Sequence, residues 1–201
     1  MLHRFVLVLV LAGVAPAGAA AAGTAPGAGP AVTLQLGTLV TTSDGDWNGG
    51  DLSGAAAVDF RAPGRVSPVV VLGTSRGMRA SFPHEEEELS CGYLVAAVRL
   101  TATSEGGIPV YLLAGYGMLR ATVRDEFGYW PSGERAVYWR SNNGGTALLA
   151  AGFIVPVRGS RLAIVGEVSA LLPQTGVPGG GASRVPRQAL ASVGVRVAVG
   201  R

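Results

Sequence analysis

The sequence predicts an all-β fold, an eight-stranded antiparallel up-and-down transmembrane β-barrel. After residue 30, stretches of about ten residues carry an apolar side chain at every second position, as in strands whose two faces meet different surroundings. Eight such stretches follow one another, and short and long connectors alternate between them. An even number of strands, with short turns at one end and longer loops at the other, is typical of a barrel that spans a membrane.

The connectors fall into two classes. The short turns cover residues 62–65, 104–107 and 158–160, and the long polar loops cover residues 42–51, 77–90, 122–143 and 173–186. Glycine, proline and serine in the short connectors favour tight turns. We therefore expect the long loops to lie together at one end of the barrel.

The N-terminus has the pattern of a secretory signal peptide. Arg4 supplies the positive charge, residues 5–14 form the apolar core, and residues 17–19 provide an A-x-A cleavage site. The apolar core is shorter than the roughly 20 residues that a membrane-spanning helix needs. We therefore predict a signal peptide over residues 1–22, a flexible leader over 23–30 and one barrel domain over 31–201.

Composition argues against several functions. All 16 basic residues are arginines, the net charge is only +3, and the arginines are spread along the chain. A nucleic-acid-binding patch with interleaved aromatic residues is therefore not expected. Cys91 is the only cysteine, which excludes an internal disulfide and a cysteine-cluster metal site.

Five of the predicted strands have one aliphatic and one polar face. In the last strand, for example, Val193, Val195 and Val197 share one face while Arg196 lies on the other. An arginine that faces lipid at the midplane would cost about 2–4 kcal/mol, whereas opposite charges inside a narrow barrel can pair. We therefore predict that the polar faces line the lumen and form a charge network of Asp59, Arg61, Arg99, Glu167 and Arg196.

Taken together, the signal peptide, the strand spacing, the alternating connectors and the charged lumen resemble the small outer-membrane barrels of the OmpA/OmpX type. The resemblance is one of pattern and covers residues 31–201. It implies a location in the outer membrane of a Gram-negative bacterium, in contact with outer-membrane lipid. It also implies folding with the help of periplasmic chaperones and the barrel-assembly machinery. The strand-borne candidates for interfacial aromatic girdles are Phe60, Tyr93, Tyr111, Tyr116 and Phe153.

The first long loop has a weak similarity to a calcium-binding loop. From Asp44 to Asp51 it contains the D-x-D-x-N-G start of such a loop, but Ala55 occupies the twelfth position, where a bidentate glutamate belongs. A glycine-rich acidic loop with side-chain turns is the favoured interpretation.

The second long loop contains His84 followed by four glutamates, Glu85 to Glu88. No second histidine follows the signal peptide, so a solvated acidic loop is favoured over a metal site. Ser81 and Ser90 do not form with His84 the close pair that a barrel-type lipid A deacylase would need. We predict no catalytic residue, no metal ligand and no cofactor.

The third long loop is rich in aromatic residues and arginines, the residue types enriched in binding hot spots. The favoured interpretation is that the flanking strands project beyond the membrane and the aromatics form an interfacial belt or pack together. The alternative is recognition of a surface ligand. The candidate recognition residues are Arg124, Phe127, Tyr129, Trp130, Arg135, Tyr138 and Trp139.

The sequence thus predicts a non-enzymatic outer-membrane protein with a structural or surface-interaction role. Eight strands enclose only enough space for their own side chains, which favours a plugged lumen. Three alternatives stay open at this point: a narrow channel for small solutes, a soluble periplasmic β-barrel that binds an apolar ligand, and a lipid-modifying enzyme.

Overall fold

A computed structural model describes residues 30–41, 52–60, 65–82, 85–103, 107–129, 135–178 and 184–199. Within these ranges the chain forms eight antiparallel strands in a closed barrel. Each strand pairs with the next, and β1 pairs with β8 to close the ring. The strands are β1 (Ala31–Thr41), β2 (Leu52–Asp59), β3 (Val66–Phe82), β4 (Glu85–Ala102), β5 (Val110–Tyr129), β6 (Arg135–Pro156), β7 (Leu162–Pro173) and β8 (Gln188–Ala198).

The prediction of eight strands in an up-and-down barrel is confirmed. The short connectors lie where the sequence places them, between β2 and β3, β4 and β5, and β6 and β7. The predicted signal peptide and the leader up to residue 29 lie outside the described residues. In the described part of the chain, no helix is long and apolar enough to cross a membrane.

The outer surface of the barrel carries large apolar side chains on all eight strands. Leu34, Leu112 and Val193, for example, are each about 60% exposed. We call this ring of outward side chains the apolar band. Its members are Leu34, Leu36, Leu52, Val58, Phe60, Val66, Leu72, Leu94, Val98, Leu100, Val110, Leu112, Tyr116, Met118, Leu149, Phe153, Leu162, Ile164, Val168, Val193, Val195 and Val197.

The alternate positions on the same strands point into the lumen and are buried. In β3, β5 and β6 the inward side chains are mostly aliphatic, such as Val69, Leu113 and Leu148. These strands are therefore apolar on both faces, which explains why their alternation is less clear in the sequence. Polar inward residues, such as Thr33 and Gln35, belong mainly to β1, β2, β7 and β8.

The strands differ in length in a way that the sequence did not indicate. β3 to β6 have 17 to 22 residues, whereas β1, β2, β7 and β8 have 8 to 12. A strand that crosses a membrane needs only about 9–11 residues. The four long strands therefore continue beyond the apolar band, and we call this extension the wall. It consists of residues 74–82, 85–92, 120–129 and 135–143.

Two of the loop predictions are wrong, because most of their residues belong to the strands of the wall. Residues 77–90 and 122–143 were expected to be long loops, but only 83–84 and 130–134 separate the strands there. The physical reason is that backbone pairing continues through residues that are polar on the outer face. Arg79 lies opposite Glu88, for example, and Glu88 lies opposite Arg124, and opposite charges across strands stabilise a ladder in water.

A β-bulge in β3 marks the beginning of the wall. Ser75 pairs with Cys91 and Met78 pairs with Leu89, so Arg76 and Gly77 together oppose one residue of β4. Gly77 has a φ of 87°, which residues with a Cβ rarely adopt. The extra residue reverses the alternation, so that Met78 is buried on the inner face and the following arginine is exposed.

The described part of the fourth predicted loop folds back onto β6. The backbone N–H of Gln174 donates to the carbonyl of Gly145 at 2.9 Å, and the Asn142 side chain donates to the carbonyl of Gly176 at 3.3 Å. Val177 and Val185 are buried in the same core that fills the lumen. This segment therefore packs over the inner face of the wall.

Candidate functional sites in the lumen and on the wall

A carboxylate held between two guanidinium groups lies near the short-turn end of the lumen. Asp59 ends β2, and its Oδ1 contacts Nη1 of Arg99 from β4. Its Oδ2 contacts Nη1 of Arg196 from β8. Asp59 and Arg99 are only 2% and 3% exposed. The pairing therefore offsets the large desolvation cost of charges in this position.

A tyrosine connects this cluster to a second carboxylate. The Tyr111 hydroxyl donates to Oε2 of Glu167 at 2.6 Å, and the Arg99 guanidinium lies 4.6 Å from the centroid of the Tyr111 ring, in cation–π contact. The four charged residues of the connected group, Asp59, Arg99, Glu167 and Arg196, balance to zero. The arrangement can hold the strands together across the lumen without leaving a net buried charge.

Two glycines make room for the aromatic rings that fill the lumen. A Cβ at Gly152 would overlap the Tyr111 ring, and a Cβ at Gly73 would overlap the Tyr93 ring. Both tyrosines are almost fully buried. The prediction that Tyr93 and Tyr111 belong to an interfacial girdle is therefore wrong, because both lie on the lumen face of their strands. The sequence already indicated this orientation, because Tyr93 and Arg99 are an even number of residues apart in one strand and therefore face the same side.

Beside the Tyr93 ring the lumen contains a small cavity. Its volume is about 20 Å³, its lining includes Gln35, Ser53, Tyr93, Glu167 and Ser169, and space of this size suits about one water molecule. Further along the barrel, Ser75 donates to the Gln188 side-chain oxygen at 2.7 Å, and the Gln188 amide contacts Sγ of Cys91 at 3.3 Å.

On the inner face of the wall, one arginine joins two acidic residues. Glu87 of β4 and Asp125 of β5 lie directly opposite each other. Arg140 of β6 pairs with both, through Oε1 of Glu87 at 3.3 Å and through Oδ2 of Asp125. Asp125 is almost completely buried. This contact relieves the repulsion between the two facing carboxylates and ties the three strands together.

On the outer face, a polar row crosses all four strands. Arg79, Glu88, Arg124 and Trp139 are successive partners in the register. Nη1 of Arg124 lies 4.0 Å from the Glu88 carboxylate, and its guanidinium lies 5.9 Å from the centroid of the Trp139 ring. Trp139 is 67% exposed. An open aromatic surface next to an arginine is a suitable contact for another molecule.

Solved structures of other proteins show which fold this is. Ail, the attachment invasion locus protein of Yersinia pestis, has 8% sequence identity and a TM-score of 0.56, over 84% of this chain and 97% of Ail. Neisserial surface protein A has 16% identity and a TM-score of 0.57, over 85% and 97%. The fold is that of the eight-stranded outer-membrane β-barrels.

A further structure, of Ail in complex with the heparin analogue sucrose octasulfate, aligns with a TM-score of 0.50 at 8% identity, over 84% of this chain and 97% of Ail. No family profile and no curated protein matches the chain by sequence. At these identities the similarity concerns the fold, and the fold class expected from the sequence is confirmed.

Not all of the predicted site residues come together. Four of the five predicted lumen charges form the connected group described above, whereas Arg61 lies outside the described residues. Among the candidate recognition residues, Arg124 and Trp139 are neighbours on the outer face of the wall, and Tyr138 is 49% exposed.

Three other candidate recognition residues lie at the far end of the wall, where β5 ends and β6 begins. Phe127 and Tyr129 lie in β5, and Arg135 pairs with Tyr129 from β6. Trp130 lies outside the described residues, as do the segment from Asp44 to Asp51 and His84. The neighbouring glutamates, Glu85 to Glu88, were expected in a loop, but they form the beginning of strand β4.

Proposed function

We propose that this chain is an integral protein of the bacterial outer membrane, without enzymatic activity, that displays its wall at the cell surface for interaction with other molecules. The observation that carries the proposal is the apolar band, which surrounds a closed barrel on all eight strands. Large contiguous apolar surfaces of this kind on a protein mark contact with a membrane or a partner. A soluble barrel would place these side chains in its interior.

The side chains that point into the lumen support a plugged barrel over a solute channel. The Tyr111 ring and the pairs of Asp59 with Arg99 and Arg196 lie in the lumen near the short-turn end, and the Tyr93 ring lies further along, next to the wall. Aliphatic side chains such as Leu119 and Leu171 fill the rest. The interior of an eight-stranded barrel is just wide enough for its own side chains to fill.

The difference between the two ends supports a role for the wall outside the cell. Short turns join the strands at one end, and at the other β3 to β6 extend well beyond the apolar band. In outer-membrane barrels the short turns face the periplasm and the longer connections face outward. Residues Arg124, Tyr138 and Trp139 would then be accessible to partners. Ail and Neisserial surface protein A, which share the fold, are described as attachment and surface proteins.

Biogenesis is part of the same proposal. The signal peptide over residues 1–22 would direct export, and periplasmic chaperones and the barrel-assembly machinery would insert the barrel among outer-membrane lipids. Depletion of the assembly machinery should then leave the chain unfolded in the periplasm, where it is accessible to added protease.

Membrane integration can be tested by fractionation and gel mobility. The protein should stay with the outer membrane after alkaline carbonate extraction, and it should migrate differently on a denaturing gel before and after boiling. Recovery as a monomer in buffer without detergent would contradict the proposal and favour the soluble periplasmic barrel.

Conductance separates the plugged barrel from a channel. The purified protein in a planar lipid bilayer should give no discrete current steps. Steps that are present in the wild-type protein and change in an Arg196→Ala variant would show that the lumen conducts.

A further inference from the structure

The outer face of the wall changes character directly above the apolar band. The last apolar row across the four long strands is Leu72, Leu94, Met118 and Gly145, and the next row is Thr74, Gly92, Arg120 and Asn143. Successive rows on one face are two residues apart, or about 7 Å along the strand. Arg120 therefore lies one step beyond the apolar surface.

The two rows above the band hold arginines and no outward-facing acid. Arg120 lies in the first row, and Arg76, which opposes Ser90 at the bulge, lies in the second. Both arginines are exposed. The first acidic residue that the described outer face of these strands presents is Glu88, in the third row. This part of the surface is therefore electropositive.

The space between the two arginines is open. Arg76 and Arg120 lie on β3 and β5, with β4 between them and one row of offset along the strands, so their backbones are about 12 Å apart. Gly92 occupies the intervening position on β4, and a Cβ there would meet no atom within 4 Å. A tetrahedral oxyanion thus fits over Gly92, within reach of guanidinium groups on both sides.

One neutral hydroxyl lies beside the same opening, and another contacts Arg120 from the β6 side. The Thr74 side chain is exposed beside Gly92, and Ser141 accepts a hydrogen bond from Nη2 of Arg120 at 3.2 Å. That contact leaves the other guanidinium N–H groups of Arg120 available. Arginine forms charge-assisted and often bidentate hydrogen bonds to phosphate.

We propose that Arg76 and Arg120, with Thr74 beside the opening at Gly92, bind a phosphate group of a phosphorylated lipid in the outer leaflet. The inference rests on the proposed location in the outer membrane. The lipid is favoured over a soluble anion because the site is continuous with the apolar band. A lipid whose acyl chains pack on Leu94 and Met118 would carry its headgroup to the row of Arg120.

The proposal can be tested by native mass spectrometry of the full protein released from membranes in a zwitterionic detergent. Titration with bisphosphorylated lipid A gives the apparent Kd for lipid retained on the barrel. In the variant Arg76→Gln/Arg120→Gln this Kd should rise about 25-fold, because each arginine near an anionic lipid surface contributes about fivefold. Dephosphorylated lipid A should bind the wild-type protein and the variant equally weakly.

A matched variant controls for the loss of two charges. Arg158 and Arg161 are exposed in the turn between β6 and β7, at the opposite end of the barrel. The variant Arg158→Gln/Arg161→Gln should retain lipid A as the wild-type protein does. Each variant is first checked for the mobility shift on boiling. Should the double variant fail to assemble, Arg76→Gln alone is used, with an expected fivefold loss.

Two results would overturn the inference. One is equal retention of lipid A by the wild-type protein and by the assembled arginine variant. The other is binding of soluble inositol hexakisphosphate through the same arginines as tightly as lipid A, which would make the site a receptor for free phosphates. Failure of the wild-type protein to integrate into membranes would instead contradict the proposed function.

Discussion

The apolar band and the wall are built from the same continuous strands, yet among the described residues only the wall carries charged side chains on its outer face. In the band, Leu94 and Met118 point outward, while Arg99 is buried in the lumen. In the wall, Arg76 and Arg120 point outward, while Met78, Leu89 and Val123 are completely buried inside. The backbone ladder is the same in both regions. The outer face therefore changes from apolar to polar along the same strands.

The inner charges of the two regions also differ. In the band, Asp59 is shared between two arginines from distant strands, β4 and β8. In the wall, Arg140 is shared between two acids on adjacent strands, β4 and β5. The first group connects the barrel across its lumen, and the second connects only neighbours. Substitutions in the band should therefore cost more than comparable substitutions in the wall.

The largest effect is expected from Asp59→Ala. This variant leaves Arg99 buried without its carboxylate, which should lower the free energy of unfolding by about 3–5 kcal/mol. Denaturant titration of the protein in lipid vesicles measures the change. Glu88→Gln, which removes a half-exposed acid of the wall beside Arg124, should cost less than about 1 kcal/mol. Similar losses for the two variants would contradict the distinction between the regions.

The next largest effect is expected when an arginine is introduced on the outer face of β6, and it should depend on the position. Leu149→Arg introduces a charge in the middle of the apolar band and should cost about 2–4 kcal/mol. Val137→Arg introduces the same charge on the same face of the wall and should change stability by less than about 0.5 kcal/mol. The same vesicle titration applies. A cost below about 0.5 kcal/mol at both positions would show that residue 149 faces water.

The bulge at the boundary can be tested with Gly77→Val. Because the φ of 87° at this position is unfavourable for a β-branched residue, the variant should lose about 1–2 kcal/mol. Gly92→Val is the control in the neighbouring strand, where the added side chain meets open space. If Gly77→Val and Gly92→Val have equal stability, the bulge does not fix the register of the wall.

The smallest effect is expected from Trp139→Ala. Because the indole is two-thirds exposed, its removal should change the free energy of unfolding by less than about 0.5 kcal/mol. A loss above about 2 kcal/mol, as for a packed aromatic residue, would favour the interpretation that the aromatics of this segment pack on one another. A small loss keeps Trp139 as a candidate contact for a surface partner.

Sequence alternation predicts the band well and the wall poorly. In β8, valines alternate with small or polar residues, and the strand lies where this pattern places it. In the wall, polar residues such as Glu88 and Arg124 resemble loop residues, because hydropathy alone does not distinguish a water-facing strand from a loop. The bulge at Gly77 also interrupts the alternation, so the residues after it change face without a change in composition.

The sequence indicates which charged residues point into the lumen, but not which of them contact each other. The alternation along each strand places Asp59, Arg99, Glu167 and Arg196 on the lumen face. Which of them meet depends on the stagger of the strands around the ring, which the sequence of one chain does not contain. Glu167 thus contacts the Tyr111 hydroxyl, a partner that the charge pattern did not suggest.

If the apolar band faces lipid while the wall faces water, the two regions should differ along a single strand. Single spin labels can be placed at alternate outward positions of β6, from Val137 to Phe153, with Cys91 replaced by serine and the protein in lipid vesicles. We expect a water-soluble paramagnetic quencher to reach labels at residues 137–141, and oxygen dissolved in lipid to dominate at 149–153. Efficient quenching from water at 149–153 would contradict the membrane-spanning barrel.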